Sequence, residues 1–377
     1  MKNIFSKSTL FLALLFTNLI FSQNTIKAKI KIYENGGLRI EERINNLKYQ
    51  DTIILHKNIS LKPNYGIPDI SGKLFKNQFL MYYNVKERIN FTINKPKVLF
   101  DNFFLQDSVF LISVNYLGQK KNNYNSKKLY DLNIEIPEEY ELLYPKKDDL
   151  NKYFYNPLPI IFGNFEEILI DDYCVYIQSD KSKPNKRIRE IVKIIDEAYN
   201  YFQPLFSIRE ELPEIVFLPF KKGLVGKNID NLILLNEDFL TEGKIKNKKT
   251  LIHEVLHLWW GSNSIKFENT MLTEAITEFL TLKYLEYKKE EDYLKRLLSI
   301  KRNRIKNITN YNLKIVNTSS KREFINISYH LIPLLFWSID SEKEIQTKLV
   351  DFYKLNAYSY VSTDRGNNFI RQIGIPI

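Results

Sequence analysis

The stretch that decides the fold runs from Leu251 to Phe279. It reads Leu251-Ile-His253-Glu254-Val-Leu-His257-Leu-Trp-Trp-Gly261, then a short polar link, then Met271-Leu-Thr-Glu274-Ala-Ile-Thr-Glu278-Phe279. The first half is His-Glu-x-x-His in an apolar context. Residues four apart lie one above the other on a helix, so His253 and His257 share a face and can grip one zinc ion. Glu254 sits one step round the helix, where a general base for a water on the metal belongs. Gly261 stands where a helix-ending glycine is expected. A second helix is predicted at once, because Met271, Leu272, Ala275, Ile276, Phe279, Leu280 and Leu282 recur at helical spacing. Glu274 and Glu278 share one face of it. A catalytic zinc takes three protein ligands and keeps one open position, and Glu274 can supply the third.

His-Glu-x-x-His-x-Trp-x-Gly followed by Leu272-Thr-Glu274-Ala resembles the aminopeptidase N family of gluzincin zinc peptidases. The resemblance implies one Zn2+ per chain on His253, His257 and Glu274, with Glu254 as the catalytic base. Glu274 falls seventeen residues after His257 (274 − 257), a link two residues shorter than the family's usual one. Glu278 is the fallback ligand, and otherwise a residue supporting one. Further on, Ile327-Ser-Tyr329 matches the family's catalytic tyrosine, which hydrogen-bonds the tetrahedral intermediate. Its usual Lys-Gly-Ala continuation is replaced by Leu331-Ile-Pro333. Pro333 has no N–H to give the Tyr329 carbonyl, so it either shifts the tyrosine or marks a helix start. His330 reads as structural.

One departure concerns substrate. The family's Gly-x-Met-Glu-Asn, whose Glu binds a free α-amino group, corresponds to Gly223-Leu-Val-Gly226-Lys227-Asn228-Ile-Asp230-Asn231. No Glu falls in place, Asp230 is the only acid, and Lys227 would repel an ammonium group. The sequence therefore points to a zinc peptidase more firmly than to an aminopeptidase. Two other classes stand beside it: a zinc-containing peptide-binding or scaffold protein with little or no turnover, and a zinc hydrolase of a non-peptide substrate.

Upstream of the metal helices, Val175–Gln178 reads as a strand. Ile188, Ile191, Val192, Ile195, Tyr199 and Phe202 predict a helix starting near Pro184. Ile215–Leu218 and Leu232–Leu235 read as short buried strands. That order resembles the thermolysin-like catalytic domain of the same family, in which an edge strand accepts an extended peptide by strand addition. From Gln23 to Asp172 the text is strand-like: Ile26–Tyr33, Val109–Tyr116 and Leu132–Pro137 alternate apolar and polar residues, with turn signals at Asn35–Gly37 and Lys62–Gly66. Leu132–Tyr144 and Pro159–Phe165 resemble the end of the family's N-terminal domain. His56 reads as structural. The fold class expected is α+β: a β-sandwich or saddle-like domain at residues 23–172, then a thermolysin-like, mainly helical zincin domain with a small sheet at 173–377. Downstream, Lys288–Arg322 reads as a solvated helix surface, and Glu342–Lys354 as a helix. The resemblance further implies a short form without the C-terminal helical domain of larger relatives.

Residues 1–22 read as a secretory signal peptide, with Lys2 and Lys7 before an apolar run from Leu10 to Phe21 and Ser22-Gln23 as cleavage point. The expectation is an exported protein, periplasmic or secreted, touching a membrane only if this segment stays uncleaved. The chain carries 55 Lys and Arg against 44 Asp and Glu, a net charge of +11. That excess is spread over Lys-rich turns and helix faces, which argues for a solvated surface and against nucleic acid as a partner. Cys174 is the single cysteine, so no disulfide forms within the chain and thiolate zinc sites are excluded. The partner expected is a peptide or small protein substrate. Oligomeric state is not legible from these residues.

Overall fold

The computed structural model describes residues 26–32, 38–44, 53–54, 69–75, 78–85, 103–104, 109–114, 119–120, 128–146, 148, 150, 153–154, 158–179, 185–206, 211–220, 225–241, 248–261, 264–306, 321–340 and 344–375. The expected signal peptide, His56 and the two turn signals at 35–37 and 62–66 lie outside them. The chain divides into two compact units, Met1–Asn164 and Phe165–Ile377.

The first unit is built of strands β1 (Ile26–Ile32), β2 (Leu38–Ile44), β3 (Ile53–Ile54), β4 (Asp69–Phe75), β5 (Gln78–Val85), β6 (Phe103–Phe104), β7 (Val109–Val114), β8 (Gln119–Lys120), β9 (Lys128–Glu135), β10 (Glu141–Tyr144), β11 (Tyr153–Phe154) and β12 (Leu158–Gly163). They form a six-stranded sheet in the order β11-β9-β1-β2-β5-β4, a four-stranded sheet β10-β12-β7-β6, and the pair β3-β8. The period of two explains β1: Ala28, Ile30 and Ile32 are buried, while Lys27, Lys29 and Lys31 face water. The parallel register with β9 sets Lys27 opposite Asp131, 2.8 Å away. Such an exposed pair contributes little to stability. β12 reads Leu-Pro-Ile-Ile-Phe-Gly and is almost wholly buried, so it shows no alternation.

The second unit opens with a hairpin of β13 (Phe165–Ile170) and β14 (Tyr173–Gln178). The boundary expected at residue 172 falls in the turn of this hairpin, because β13 pairs forward with β14, and the units divide at 164/165 instead. Helix α1 (Asn185–Phe206) follows, with all six residues of the predicted stripe buried. Then come β15 (Glu214–Leu218), β16 (Gly226–Ile229) and β17 (Leu232–Asn236). The sheet order is β13-β14-β15-β17-β16. β14, β15 and β17 run parallel, and β13 and β16 close the edges antiparallel. β17 is buried throughout, as a central parallel strand should be.

The remaining elements are α2 (Lys248–Leu256), β18 (Lys266–Phe267), α3 (Thr270–Tyr287), α4 (Glu291–Ile305), α5 (Lys321–Ile325), a π-helical turn at Asn326–Leu331, α6 (Ile332–Ile339), α7 (Glu344–Asn356), β19 (Tyr360–Val361) and α8 (Thr363–Gln372). One continuous core joins α1, the inner sheet face, α2 and α3. Trp259 and Trp260 lie fully buried at its centre among Tyr199, Phe202, Phe206 and Tyr353. Burial of that kind is worth about 1.5–3 kcal/mol per large side chain. α4 corrects one expectation. It is not wholly a solvated surface, since Leu294, Leu298 and Lys301 turn inward. Among the described residues, no helix is long and apolar enough to cross a membrane.

Candidate metal centre

α2 is short and ends at Leu256, earlier than the Gly261 stop the sequence suggests. Beyond it the chain tightens to i→i−3 bonds, Leu258 to Val255 and Trp259 to Leu256. His257 nevertheless keeps its bond to the His253 carbonyl at 3.3 Å, and so stays above His253 on one face. Gly261 has φ +119°, and a Cβ there would come within 2.7 Å of Thr273 Cγ2 and 3.3 Å of His257 Nδ1. Glycine is thus required both by backbone conformation and by the closeness of α3. α3 begins at an Asn269 cap, whose side chain accepts from the Met271 N–H. That start turns Glu274 and Glu278 toward α2.

Three ligand atoms converge. His253 Nε2 and His257 Nε2 are 3.1 Å apart. Glu274 Oε2 is 3.1 Å from the first and 3.6 Å from the second. A tetrahedral zinc with bonds of about 2.0–2.1 Å has ligand–ligand edges of roughly 3.3–3.4 Å. The three observed spacings bracket that value. Among the described residues this is the one group of three or more His, Cys, Asp or Glu side chains able to hold a metal ion. The shortened link to Glu274 leaves the two helices at ligand distance.

The ring nitrogens that face away from the centre are also provided for. His257 Nδ1 is 2.8 Å from the Trp260 carbonyl, which accepts its proton and leaves Nε2 the lone pair. His253 Nδ1 stands 3.1 Å from Glu278 Oε1, close but not well aligned. Glu278 is therefore placed behind a ligand and not among the converging atoms. It is fully buried, between the ammonium groups of Lys249 and Lys301. Burial opposes ionisation of Glu278, yet the two lysines and His253 hold its carboxyl well below the usual range. Burial likewise pulls the His253 imidazole down, but Glu274 and Glu278 outweigh it and raise it to about 9. Glu274 is itself held far below the usual carboxylate range against burial, chiefly by His257 and His253.

Glu254 lies beside the centre, 6% exposed. Burial pushes its carboxyl up, against the pull of His257 and His253. Its Oε2 is sealed and has no hydrogen-bond partner. The rest of the carboxylate rests against Gly226 on β16, where a Cβ would lie 2.8 Å from Glu254 Cγ and 2.9 Å from Oε1.

Tyr329 reaches the same place from the π-helical turn. Its hydroxyl donates to Glu274 Oε2 at 2.6 Å, and its ring stacks on His253 at 5.7 Å between centroids. Burial and the Glu274 carboxylate push the phenol well above its ordinary pKa. Pro333 has no N–H to give the Tyr329 carbonyl, and it sits in the first turn of α6. Lys301 Nζ donates to that carbonyl instead, at 2.5 Å. The missing N–H is thus replaced by a cation that also binds Glu278. His330 does not join the converging atoms. Burial and the nearby Lys301 lower it to about 4, so it is neutral at pH 7.

The sequence reading missed Lys249 and Lys301. A signal existed for Lys301: it continues Leu294 and Leu298 at helical spacing, on the buried face of α4. Asp230, weighed as a partner for a substrate amine, is not among the three converging side chains. Asp230 sits in the β16–β17 turn with φ 53°.

Neither a protein-family model nor a curated protein sequence matches the chain. Solved structures do resemble it. Leukotriene A4 hydrolase from Saccharomyces cerevisiae superposes with a TM-score of 0.62 at 11% identity over 94% of this chain, which spans 65% of that protein's length. An M1 zinc metallopeptidase from Deinococcus radiodurans gives 0.61 at 10% identity, over 93% of this chain and 90% of the other. A mutant of that enzyme has been solved with a Tyr-Ser-Ala substrate bound. An aminopeptidase N family protein from Idiomarina loihiensis gives 0.53 at 14% identity, over 93% and 71%. At such identities the likeness is one of fold.

Proposed function

We propose that the chain is a zinc-dependent peptidase, with His253, His257 and Glu274 holding one zinc ion and Glu254 acting as general base. The observation that carries this reading is the convergence of the three ligand atoms at tetrahedral spacing. When bound, zinc supplies Lewis acidity, drawing the pKa of a coordinated water toward ~7 and polarising a substrate carbonyl. Glu254 would accept a proton from an attacking water and pass it to the leaving amine. Burial raises its carboxyl, which brings it nearer the pH at which it must both take and give a proton. Glu278 and the Trp260 carbonyl hold the two imidazoles with Nε2 turned inward. Tyr329, anchored on Glu274, has its hydroxyl within reach of a carbonyl oxygen that gains charge at the centre.

The peptide-bound relative from Deinococcus radiodurans supports a peptide substrate. β16 supports a way to hold one. It is an edge strand, and among the described residues nothing pairs with its outer side. An extended peptide can add there as a further strand, alongside Glu254. The six- and four-stranded sheets of the first unit fit a sandwich or saddle, and the second unit fits a thermolysin-like plan. The charge pattern of residues 1–22 supports export to the periplasm or medium.

The test has two steps. Purified protein should hold about one zinc per chain by elemental mass spectrometry, and His253→Ala should lose it. At equal zinc content, Glu254→Gln should lower peptide hydrolysis by at least about 10²-fold. Zinc binding with equal rates in wild type and Glu254→Gln would favour the scaffold reading. Turnover of esters or epoxides, but of no peptide, would favour a non-peptide hydrolase.

A further inference from the structure

Tyr329 is held from several sides. Its hydroxyl donates to Glu274 Oε2 at 2.6 Å. Its ring stacks on His253, and Lys249 Nζ lies 5.9 Å from the ring centroid. Its carbonyl accepts from Lys301 Nζ at 2.5 Å. The backbone here is a π-helical turn, in which the Ile332 N–H reaches back five residues to the Ile327 carbonyl. Turns of that width are rare and occur frequently at functional sites.

Lys301 joins that backbone to the metal ligands. The same Nζ donates to Glu278 Oε2, while Glu278 Oε1 stands 3.1 Å from His253 Nδ1 and 2.5 Å from Lys249 Nζ. The contacts close a ring. It runs from His253 through Glu278 and Lys301 to the Tyr329 backbone, then back through the Tyr329 hydroxyl and Glu274 to His253. Four elements contribute to it: α2, α3, α4 and the π-helical turn. Position 301 continues the stripe of Leu294 and Leu298 on the buried face of α4, and Lys301 is 3% exposed. An apolar residue there would serve the core alone, because taking a cation out of water commonly costs more than its ion pair returns. What an ammonium group adds is the ability to donate in several directions at once. Here two of its donors go to the Tyr329 backbone and to the carboxylate behind His253.

We propose that Lys301 is a positioning residue for the reaction at this centre. By tying the Tyr329 carbonyl to Glu278, it sets where the π-helical turn stands relative to the metal ligands, and so where the Tyr329 hydroxyl points. The part that hydroxyl plays in turnover rests on the peptidase reading above; the hold of Lys301 on Tyr329 does not. A group that stabilises a developing charge acts only from the right place, and about 1 Å of error costs on the order of 10²-fold in rate. Lys301 is buried and reaches the centre through Tyr329 and Glu278. Glu278 keeps Lys249 when Lys301 is removed. The support of His253 is thereby retained, and the loss falls on Tyr329.

The experiment is a double-mutant cycle on the zinc-loaded full chain: wild type, Lys301→Met, Tyr329→Phe and the two together. A quenched fluorogenic peptide gives kcat and KM, taken per bound zinc and at a temperature where circular dichroism shows all four folded. Lys301→Met should lower kcat by about tenfold to 10²-fold, with KM within about twofold of wild type. In the Tyr329→Phe background the same substitution should lower kcat by less than about twofold, because the hydroxyl it aims is gone. A merely structural Lys301 would lower kcat by the same factor in both backgrounds. That result, or wild-type kcat in Lys301→Met, would overturn the inference. If Lys301→Met does not fold, Lys301→Gln takes its place in the cycle with the same expectations. Fluorotyrosine incorporated at position 329 alone separates the inference from the peptidase reading. Its fluorine resonance should be one sharp signal beside the native lysine, and should shift and broaden with Lys301→Met, whether or not any peptide is cleaved. Such a shift in a protein that hydrolyses no peptide defeats the peptidase reading and leaves Lys301 as the residue that fixes Tyr329. An unmoved signal defeats this inference.

Discussion

Gly226→Ala tests the placement of the base without touching a metal ligand. The added Cβ would lie 2.8 Å from Glu254 Cγ, 2.9 Å from Oε1 and 3.0 Å from Cδ. Carbon atoms pack at about 3.5–4.0 Å, so the carboxylate must retreat by roughly 0.7–1 Å. Misplacing a catalytic group by about 1 Å costs on the order of 10²-fold in rate, or about 2.7 kcal/mol of barrier. No positive φ marks Gly226, so its backbone admits alanine. The folding cost is then the local overpacking, about 1–3 kcal/mol. The assay compares kcat for the fluorogenic peptide, zinc content and the urea midpoint in wild type, Gly226→Ala and Glu254→Gln. The expected result is full zinc, a modest loss of stability, and kcat down by about 10²-fold. Wild-type kcat in Gly226→Ala, together with full zinc, would refute the argument that Glu254 acts from its observed position.

Three further outcomes follow from the same geometry. Tyr329→Phe removes the hydroxyl from Glu274 and should lower kcat by about 10²-fold with zinc retained; unchanged kcat in steady-state assays would remove Tyr329 from the reaction. Lys301→Met leaves the Tyr329 carbonyl without its donor and Glu278 with one lysine fewer. It should cost about 3 kcal/mol in urea unfolding, and a loss below about 0.5 kcal/mol would count against the buried cation as a support. Glu278 is ionised in the fold well below its ordinary pKa of 4.5, through Lys249, Lys301 and His253 against burial. Its contribution is therefore complete above that ordinary value and lost as pH falls through the folded one. In thermal melts, the stability advantage of wild type over Glu278→Gln should hold from pH 7 to 5 and shrink in more acid solution. An advantage that grew with acid would contradict the sign.

How far the chain could be read depended on how local each determinant is. Helical periodicity and turn chemistry involve residues a few positions apart. They placed α1, the two helices that carry the candidate ligands and the strands β14, β15 and β17, and they put His253, Glu254 and His257 on one helical stretch. Glu274 was within reach because the link between two helices is short. The limits of α2 were not legible, since the tight turn after Leu256 answers to the packing of Trp259 and Trp260 against α1 and α7. The division of the units at 164/165 was likewise hidden, because it follows from which strand β13 chooses to pair with.

The sequence by itself put His253, Glu254 and His257 on one stretch of helix and Glu274 and Glu278 on one face of the next, since spacing along a helix is a property of local backbone geometry. Only the tertiary structure decided what surrounds that set. It brought Tyr329 onto Glu274 across fifty-five residues of chain. It set Lys249 and Lys301 around Glu278, and it laid Gly226 against Glu254. Those neighbours come from separate elements, and their meeting depends on how the sheet and helices pack, so no local spacing announces them.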